Sequence, residues 1–286
     1  MTRIPWTKDR LLEGWQKRLY PRYGSWAVVT GASSGIGREI GYRLAEAGLN
    51  LVLVGRQRTL LEQMSTELAN RHSIQVRLVE LDLSLESSVK TLEAATRDLD
   101  VGLLIGAAGF GTSGSFLNAQ LEPEIEMLNV NCRALLELSW YFGRRFAEQG
   151  RGGIVLMSSI VGFQGTPFAA HYAATKAYVQ ALGEALSVEL APLGVDVLAA
   201  APGPTDSNFA IRAGMKLGVA LKPQDIAQPI LAALGRRSTV LPGFLSKLLT
   251  YSLMPLPRWV RVRIMGGVMA GMTQHQRRTS DFAEDK

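Results

Sequence analysis

The sequence of 286 residues predicts a single α/β domain in which helices cover both faces of a parallel sheet of about seven strands. Short apolar runs rich in β-branched residues alternate with helical patterns along most of the chain. Strands that are buried on both faces have such continuous apolar runs. No internal repeat and no linker rich in Pro, Gly or Ser divides the sequence, so we expect one domain to hold all the strands.

The predicted strands follow one another at spacings that leave room for a helix between most of them. They cover residues 26–30, 51–54, 76–81, 101–105, 153–158, 195–200 and 239–241. The longest helical pattern covers about residues 123–149 and ends at Gly150, and another runs from about 172 to 193. Each of these two patterns has an apolar stripe wide enough for the sheet and a partner helix. We therefore expect a homodimer or homotetramer.

Composition and charge exclude several classes of protein. With 47% hydrophobic residues, the chain can bury a large core, which excludes disordered, collagen-like and disulfide-rich proteins. The single cysteine, Cys132, cannot form an internal disulfide, and the first residues lack a secretory signal, so we expect a cytoplasmic location. Basic residues are in excess only in residues 1–25 and 236–286. A nucleic-acid binder usually carries its basic stripe on the folded domain, so we expect no nucleic-acid partner.

A glycine-rich turn, Thr-Gly-Ala-Ser-Ser-Gly-Ile-Gly at residues 30–37, separates the first predicted strand from the first helix. Its glycines allow a tight turn, a close approach of backbone to a pyrophosphate, and close packing of helix on strand. The position of the turn between strand and helix indicates a dinucleotide-binding, Rossmann-like doubly wound fold. The candidate cofactor contacts in the turn are Gly31, Ser33, Ser34, Gly35, Ile36 and Gly37.

The residues after the second strand indicate which dinucleotide binds. An NAD site usually has an acid there for the ribose 2′-hydroxyl, but this chain has Gly55-Arg56-Gln57-Arg58. A guanidinium fits a 2′-phosphate through a bidentate, charge-assisted contact, which favours NADP(H) with Arg56 as its ligand. The alternative is that Arg56 is a solvated surface residue, and we expect Arg58 to be one.

Tyr172 and Lys176 lie four residues apart, on one face of the second long helix. A neighbouring ammonium lowers the pKa of a tyrosine, so the pair could exchange a proton with a carbonyl or an alcohol. The alternative is that Tyr172 is a core residue without a catalytic role and that Lys176 extends past it to reach solvent. Ser159 ends the fifth strand, at the carboxyl edge where open α/β sheets bind ligands. The glycine turn lies at the same edge.

In combination, these motifs resemble the short-chain dehydrogenase/reductase family over about residues 24–242. The matching segments are the glycine turn, the Tyr-x-x-x-Lys pair, Ser159, Asn129-Val130-Asn131 and Pro202-Gly203-Pro204-Thr205. The resemblance implies that Tyr172 is the general acid/base and that Ser159 holds the substrate oxygen. It also implies that Lys176 binds the nicotinamide ribose and lowers the pKa of Tyr172, and that Asn131 positions a water relay.

Further cofactor contacts are implied by the same resemblance. They are Asp82 and Leu83 at the adenine, Val130 at the adenosine ribose, Ala108 and Gly109 where the backbone approaches the cofactor closely, and Pro202, Gly203 and Thr205 at the nicotinamide amide. Where the family usually has Asn-Asn-Ala-Gly, residues 106–109 are Gly-Ala-Ala-Gly, so bracing between neighbouring strands is lost but no proton-transfer group is.

Simpler structural explanations exist for several of these residues. Asp82 could cap the following helix, and Asn131 could be an interior residue bonded to backbone. We expect Ser158 to be structural and Cys132 to be a small core residue. His171 adjoins Tyr172 and could contact substrate.

The substrate side is predicted to be apolar with a basic rim. Its expected residues are Phe110, Phe116, Phe163, Phe168, Phe209 and Met215, with Arg212 and Lys216 as the nearby charges. Such a pocket suits a lipophilic carbonyl or alcohol, although apolar loops also close over any dry active site. No metal site is predicted.

We divide the chain into a basic N-terminal extension (1–24), a catalytic domain (25–242) and a basic amphipathic C-terminal extension (243–286). The C-terminal extension has apolar pieces at 244–256 and 259–272, too short to span a membrane but able to lie on one. Alternatively it packs on the body or on a partner subunit.

The predicted function is NADP(H)-dependent oxidation or reduction at a carbonyl or secondary alcohol. The alternatives are an NADP(H) sensor without turnover and a peripheral membrane scaffold.

Overall fold

A computed structural model describes residues 14–216 and 218–276. Within these residues, parallel strands form one sheet in the order β3-β2-β1-β4-β5-β6-β7. The strands are β1 Trp26–Thr30, β2 Asn50–Gly55, β3 Val76–Glu80, β4 Val101–Gly106, β5 Gly152–Met157, β6 Val195–Ala200 and β7 Thr239–Val240. The prediction of a parallel sheet of about seven strands is therefore confirmed.

Helices pack on both faces of this sheet. They are α1 Gln16–Tyr23, α2 Gly35–Glu46, α3 Arg58–Arg71, α4 Ser88–Thr96, α5 Leu121–Leu128, α6 Ala134–Gln149, α7 Ala170–Glu189, α8 Asn208–Arg212, α9 Pro223–Ala233, α10 Phe244–Leu253 and α11 Arg258–Met272. Alternate residues of β1 enter opposite cores: Val29 packs with Ile40 of α2, whereas Val28 packs in the core that includes Phe142 of α6. Burial on both faces explains the continuous apolar runs of the strands.

The strand order creates a crevice at the carboxyl edge of the sheet. The chain leaves β3 at one side of β1 and enters β4 at the other side, so the strand order reverses next to β1. Ligands of open α/β sheets bind in the crevice at such a switch point. The glycine turn and the residues after β4 and β5 all lie at this edge.

The helix predicted over residues 123–149 is interrupted. A π-helical turn, Asn129–Arg133, joins α5 to α6. A turn of this type accommodates one more residue than an α-helical turn and occurs often at functional sites. It contains the Asn129-Val130-Asn131 segment.

The N-terminal extension packs on the domain over its described part, residues 14–24. Leu19 and Tyr23 are buried, and Asp196 of β6 accepts hydrogen bonds from the Tyr23 hydroxyl (2.8 Å) and from two nitrogens of Arg22 (2.6 and 2.8 Å). Residues 1–13 of this predicted extension lie outside the described residues.

The C-terminal extension, over its described part, consists of α10 and α11. The Ser246 hydroxyl of α10 accepts a hydrogen bond from the Gly203 amide, in the loop after β6, at 2.9 Å. Residues 277–286 lie outside the described part of the chain. In the two described stretches, 14–216 and 218–276, none of the helices is both long enough and apolar enough to cross a membrane.

Candidate active site

A cleft of about 650 Å³ runs along the carboxyl edge of the sheet. Its wall includes the glycine turn, the residues after β2, β4, β5 and β6, the first turns of α7, and one side of α10 and α11. All the predicted catalytic and cofactor-binding residues line this cleft except Asn131. The structure thus brings together residues that are up to 174 positions apart in sequence, from Gly31 to Thr205.

The glycine turn forms a cradle that side chains would fill. Gly31 has a φ of +67°, and a Cβ atom there would lie 2.9 Å from the Ala108 backbone. A Cβ atom on Gly37 would lie 2.5 Å from the Gly31 carbonyl oxygen. Helix α2 begins at Gly35, so its unpaired amides and positive dipole end border the cleft. These features fit the pyrophosphate of a dinucleotide.

Thr30 braces the segment in which the family's two asparagines are missing. Its hydroxyl donates to the Ile105 carbonyl (3.2 Å) and accepts from the amides of Ala107 and Ala108 (3.1 Å each). One buried hydroxyl therefore ties the end of β1 to the end of β4. The expected loss of bracing is offset here by a residue of the glycine turn itself.

Tyr172 lies in the first turn of α7 and is 7% exposed. Burial raises the pKa of Tyr172 above its ordinary value, while a hydrogen bond with the Ser159 hydroxyl lowers it by a smaller amount. The expectation that Lys176 lowers the pKa of Tyr172 stays a prediction, because burial is the largest effect on this pKa and the favourable contact that offsets part of it comes from Ser159. Tyr172 is therefore a protonated phenol at neutral pH.

Lys176 is also buried, at 5% exposure, one helical turn after Tyr172. Its Nζ donates to the Met157 carbonyl at 2.8 Å and lies 5.8 Å from the Tyr172 ring centroid. Burial lowers the pKa of Lys176 to about 8, because the charged ammonium has lost most of its water. The ammonium has three N–H donors and uses one on Met157, which leaves donors that could hold ligand oxygens.

Ser159 and its neighbour Ser158 have different surroundings. The Ser158 hydroxyl donates to the Lys176 carbonyl at 2.9 Å, in agreement with a structural role. Besides its hydrogen bond with Tyr172, the Ser159 hydroxyl has two long contacts, donating to the Pro202 carbonyl and accepting from the Val161 amide, each at 3.4 Å. Ser159 therefore lines the cleft with a weakly held hydroxyl beside Tyr172.

Asn131 is 1% exposed and packs behind the cleft. Its Nδ2 donates to the Phe110 carbonyl (2.8 Å) and to Thr175 Oγ1 (3.0 Å), and its Oδ1 accepts from the Phe110 amide (3.1 Å). The alternative of an interior asparagine bonded to backbone therefore describes this side chain. Because both of its N–H donors are in use, a water relay held by the Asn131 amide stays a prediction that these contacts do not favour.

Asn131 nevertheless shapes the site through its contact with the loop after β4. A Cβ atom on Gly109 would lie 2.9 Å from Asn131 Oδ1 and 3.4 Å from Lys176 Nζ. Gly109 therefore lets the amide of Asn131 and the ammonium of Lys176 approach the same stretch of backbone. This makes Asn131 a positioning residue for the cleft wall.

Two other candidates face away from the cleft. His171 Nε2 lies 3.1 Å from the Glu124 carbonyl oxygen, and its ring is not part of the cleft wall. Cys132 is buried, and burial raises the pKa of its thiol to about 11, which makes it a poor nucleophile. The expectation of a small core residue at Cys132 agrees with this environment.

The cleft end beyond β2 is charged. Arg56 Nη1 lies 3.1 Å from Glu126 Oε1 and 3.7 Å from Asp82 Oδ2. Asp82 also accepts from the Ser84 amide at 2.9 Å, so its capping role and its place in the cleft coexist. Arg58 pairs with Glu62 along α3 and does not line the cleft, as expected of a surface arginine.

The apolar end of the cleft differs in part from the prediction. Phe110, Phe209 and Met215 line it, whereas Phe116 is 67% exposed, and neither Phe163 nor Phe168 is part of its wall. Sequence reasoning missed the side chains from the C-terminal helices, which are Leu249, Leu253, Ile264, Met265, Val268, Met269 and Met272. Their helical spacing was visible in the sequence, but the surface on which they pack was not.

Comparison with known proteins gives the following relations. The family model for short chain dehydrogenases matches residues 25–216. The 7beta-hydroxysteroid dehydrogenase of Clostridium sardiniense is 30% identical over 230 residues, which are 79% of this chain and 88% of that protein. The very-long-chain 3-oxoacyl-CoA reductase of Podospora anserina is 35% identical over 192 residues, 65% of this chain and 56% of that protein. This chain thus spans a little over half the length of that reductase.

Solved structures have the same fold. One from a study of 7beta-hydroxysteroid dehydrogenase stereoselectivity superposes with a TM-score of 0.80 at 27% identity, covering 86% of this chain and 98% of the solved chain. A short-chain dehydrogenase from Sphingobium yanoikuyae in complex with NADPH superposes with a TM-score of 0.72 at 31% identity, covering 76% and 87%. The α10 and α11 helices lie beyond the residues that the family model matches.

Proposed function

This chain belongs to the short-chain dehydrogenase family and is an oxidoreductase that acts on CH-OH or C=O groups, and we propose that it reduces a bulky lipophilic carbonyl compound with NADPH. One observation carries the proposal. Ser159, Tyr172 and Lys176 meet in a cleft whose far wall is apolar and whose near end has a glycine cradle and an arginine.

The proton in this reaction would come from Tyr172. A bound nicotinamide supplies the hydride that adds to the carbonyl carbon. As negative charge develops on the carbonyl oxygen, the Tyr172 hydroxyl donates its proton to that oxygen. Because burial raises the pKa of Tyr172, the residue is protonated at neutral pH, which is the form that a reduction needs. Tyr172 is thus in the form that donates a proton, while the net direction of the reaction follows the poise of the cofactor.

Ser159 and Lys176 assist Tyr172 in different ways. The Ser159 hydroxyl is weakly held by its 3.4 Å contacts, so it can turn to donate to the substrate oxygen and orient it toward Tyr172. The Lys176 ammonium stabilises the phenolate that remains after proton transfer. Its remaining N–H groups, together with Met157 as anchor, suit the ribose hydroxyls of the cofactor.

The preference for NADP(H) over NAD(H) rests on the charged end of the cleft. Arg56 follows β2, at the place where an acid would accept from a ribose 2′-hydroxyl. Its guanidinium already holds carboxylate oxygens, which shows a geometry suited to anions. The Sphingobium yanoikuyae dehydrogenase that superposes on this chain is in complex with NADPH, which supports the same choice.

The substrate class follows from the apolar wall. Helices α10 and α11 form part of the apolar cleft wall, and the methionines of α11 provide a deformable surface that fits large and irregular ligands. The relatives are named for hydroxysteroids and for very-long-chain 3-oxoacyl-CoA, both bulky lipophilic compounds. We therefore include α10 and α11, as part of residues 243–286, in the substrate-binding unit.

The sensor role, the membrane contact and the oligomeric state stay predictions. An NADP(H) sensor without turnover has no need of Ser159, Tyr172 and Lys176 together, so the site does not favour it. For membrane contact, the exposed faces of α10 and α11 offer Tyr251, Met254 and Trp259 beside basic residues, while their inner faces pack on the cleft. Exposed apolar side chains on α5 and α6, such as Trp140, are compatible with a homodimer or homotetramer.

A larger side chain on the apolar wall should narrow the cleft and reduce its affinity for large substrates more than for small ones. We expect Met265→Trp to raise KM for steroid-sized ketones about tenfold, because the added ring volume removes space and apolar contacts from the cleft. The kcat/KM for a small aliphatic ketone should change less than twofold. The measurement is the rate of NADPH oxidation against ketones of increasing size.

The matched control is Gly267→Trp. It adds the same indole two residues away. A Cβ atom on Gly267 would have nothing within 4 Å, and Gly267 is not part of the cleft wall. An equal effect of Met265→Trp on small and large ketones would contradict a substrate wall on α11. Failure of the wild-type protein to oxidise NADPH with any ketone would contradict the proposed function itself.

A further inference from the structure

Two guanidinium groups from distant parts of the chain share one carboxylate at the charged end of the cleft. Arg212, the last residue of α8, places Nη2 3.3 Å from Glu126 Oε1, and Arg56 places Nη1 3.1 Å from the same oxygen. The two arginines are 156 positions apart in sequence, and both line the cleft. Glu126, on α5, is not part of the cleft wall but reaches its rim.

Arg212 is held in place although Arg56 repels it. Its guanidinium carbon lies 3.8 Å from the Phe110 ring centroid, which is a close cation–π contact. Burial, and then repulsion by Arg56, lower the pKa of Arg212, and Glu126 partly compensates. Glu126 and Asp82, which lies 3.7 Å from Arg56, balance the two guanidinium charges in this structure, so an anion that displaced Glu126 would meet both arginines.

Glu126 satisfies this pair only incompletely. One carboxylate oxygen, Oε1, serves both arginines, and the two contacts are monodentate. A phosphate group has three acceptor oxygens and up to two negative charges, so it can give each guanidinium an oxygen of its own. The arrangement is therefore better matched to a phosphate than to the carboxylate that occupies it.

We infer that Arg56 and Arg212 form one subsite for the 2′-phosphate of NADP(H), and that Glu126 is its internal substitute. This inference rests on the proposed function, because it needs a 2′-phosphorylated cofactor next to Arg56. Arg212 lies in α8, on the segment after β6, whereas the sequence located cofactor specificity only in the segment after β2. On cofactor binding, the phosphate takes the guanidinium donors and the Glu126 carboxylate turns to solvent.

The subsite links cofactor choice to the substrate side of the cleft. Arg212 and Phe209 belong to the same short helix, α8, and the Phe209 ring packs 5.3 Å from the Tyr172 ring. A phosphate held by Arg212 therefore fixes α8 over the catalytic tyrosine. The 2′-phosphate would then order the wall against which the substrate binds, and NADH, which lacks it, would not.

The test is equilibrium binding without turnover. The probes are NADPH and NADH, followed by the fluorescence of the reduced nicotinamide, and 2′,5′-ADP and 5′-ADP, followed by calorimetry. We expect Arg212→Ala to weaken NADPH and 2′,5′-ADP about tenfold and to change NADH and 5′-ADP less than twofold, since one charge-assisted contact is lost. Glu126→Gln should tighten NADPH several-fold by removing the competing anion. The control is Arg58→Ala, which removes a guanidinium paired along α3 outside the cleft.

A second readout reports the link to α8. Hydrogen exchange of residues 208–216 should slow when 2′,5′-ADP binds the wild-type protein, but not when 5′-ADP binds it or when Arg212→Ala is used. Equal weakening of NADPH and NADH by Arg212→Ala would place the arginine at the pyrophosphate and overturn the inference. So would an Arg212→Ala protein with unchanged NADPH affinity while Arg56→Ala loses it. A wild-type protein that binds NADH more tightly than NADPH would instead overturn the NADP(H) preference in the proposed function.

Discussion

Replacing Tyr172 with phenylalanine is expected to lower kcat by about 10² to 10⁴-fold while cofactor affinity stays within twofold. The substitution removes only the hydroxyl that donates a proton to the carbonyl oxygen. The ring remains, so its packing against Phe209 and its distance from Lys176 are retained. Because the buried ring and its packing are retained, loss of the hydroxyl should change the free energy of unfolding little compared with its effect on turnover.

The matched control is Tyr178→Phe on the same helix. Tyr178 is 38% exposed and is not part of the cleft wall, so its substitution should leave turnover unchanged. The measurement is single-turnover reduction of a bulky ketone with NADPH, alongside NADPH titration of each variant. A Tyr172→Phe protein that keeps more than a tenth of the wild-type kcat would contradict Tyr172 as the proton donor.

Gly37→Ala is expected to abolish useful cofactor binding, raising the Kd for NADPH by about a hundredfold or more. A Cβ atom at this position would lie 2.5 Å from the Gly31 carbonyl oxygen and 3.2 Å from the Thr30 carbonyl oxygen. Both neighbours are backbone, so the turn itself must move. The cradle formed by Gly31 and the first amides of α2 would then no longer match a pyrophosphate.

Gly267→Ala is the control for a general effect of added bulk. A Cβ atom on Gly267 meets nothing within 4 Å, and alanine is a better helix former than glycine, so α11 should be as stable or more so. Circular dichroism and thermal unfolding of Gly37→Ala distinguish a changed turn from an unfolded domain. A folded Gly37→Ala protein with wild-type affinity for NADPH would contradict the cradle as the cofactor site.

The strands could be predicted because burial on both faces leaves a direct mark in the sequence. The bounds predicted for β1 and β6, residues 26–30 and 195–200, are those of the structure. In both strands nearly all residues are buried, so apolar character begins and ends with the strand. The site motifs were equally visible, because glycine, serine and tyrosine at fixed spacings carry the chemistry.

Features that depend on contacts between distant segments could not be predicted. The π-helical turn at Asn129–Arg133 has mostly weak helix formers, but their order does not mark a π-turn, and the hydrogen bonds that Asn131 makes there go to the distant residues Phe110 and Thr175. Glu126 on α5 pairs with Arg56, in the loop before α3, and with Arg212 on α8. Neither the π-helical turn nor the contacts of Glu126 produce a periodic pattern in the sequence, so neither could be predicted from it.

The electrostatics of the catalytic pair show a related limit. Spacing alone indicated that Lys176 would lower the pKa of Tyr172, but it gave no measure of burial. In the structure both residues are less than a tenth exposed, and loss of water raises the pKa of Tyr172 and lowers that of Lys176. At neutral pH the phenol of Tyr172 is therefore protonated, while Lys176, with a pKa of about 8, remains mostly an ammonium.

The most direct test of the central claim is transfer of label from NADPH that carries deuterium at the nicotinamide C4 position. A steroid-sized apolar ketone is reduced by the wild-type protein, and the product is analysed by mass spectrometry and NMR. We expect an alcohol with one deuterium on its carbinol carbon, formed at the rate at which NADPH is oxidised. Cofactor binding with no deuterated alcohol from any ketone in a broad size series would contradict the assignment of this protein as a lipophilic carbonyl reductase.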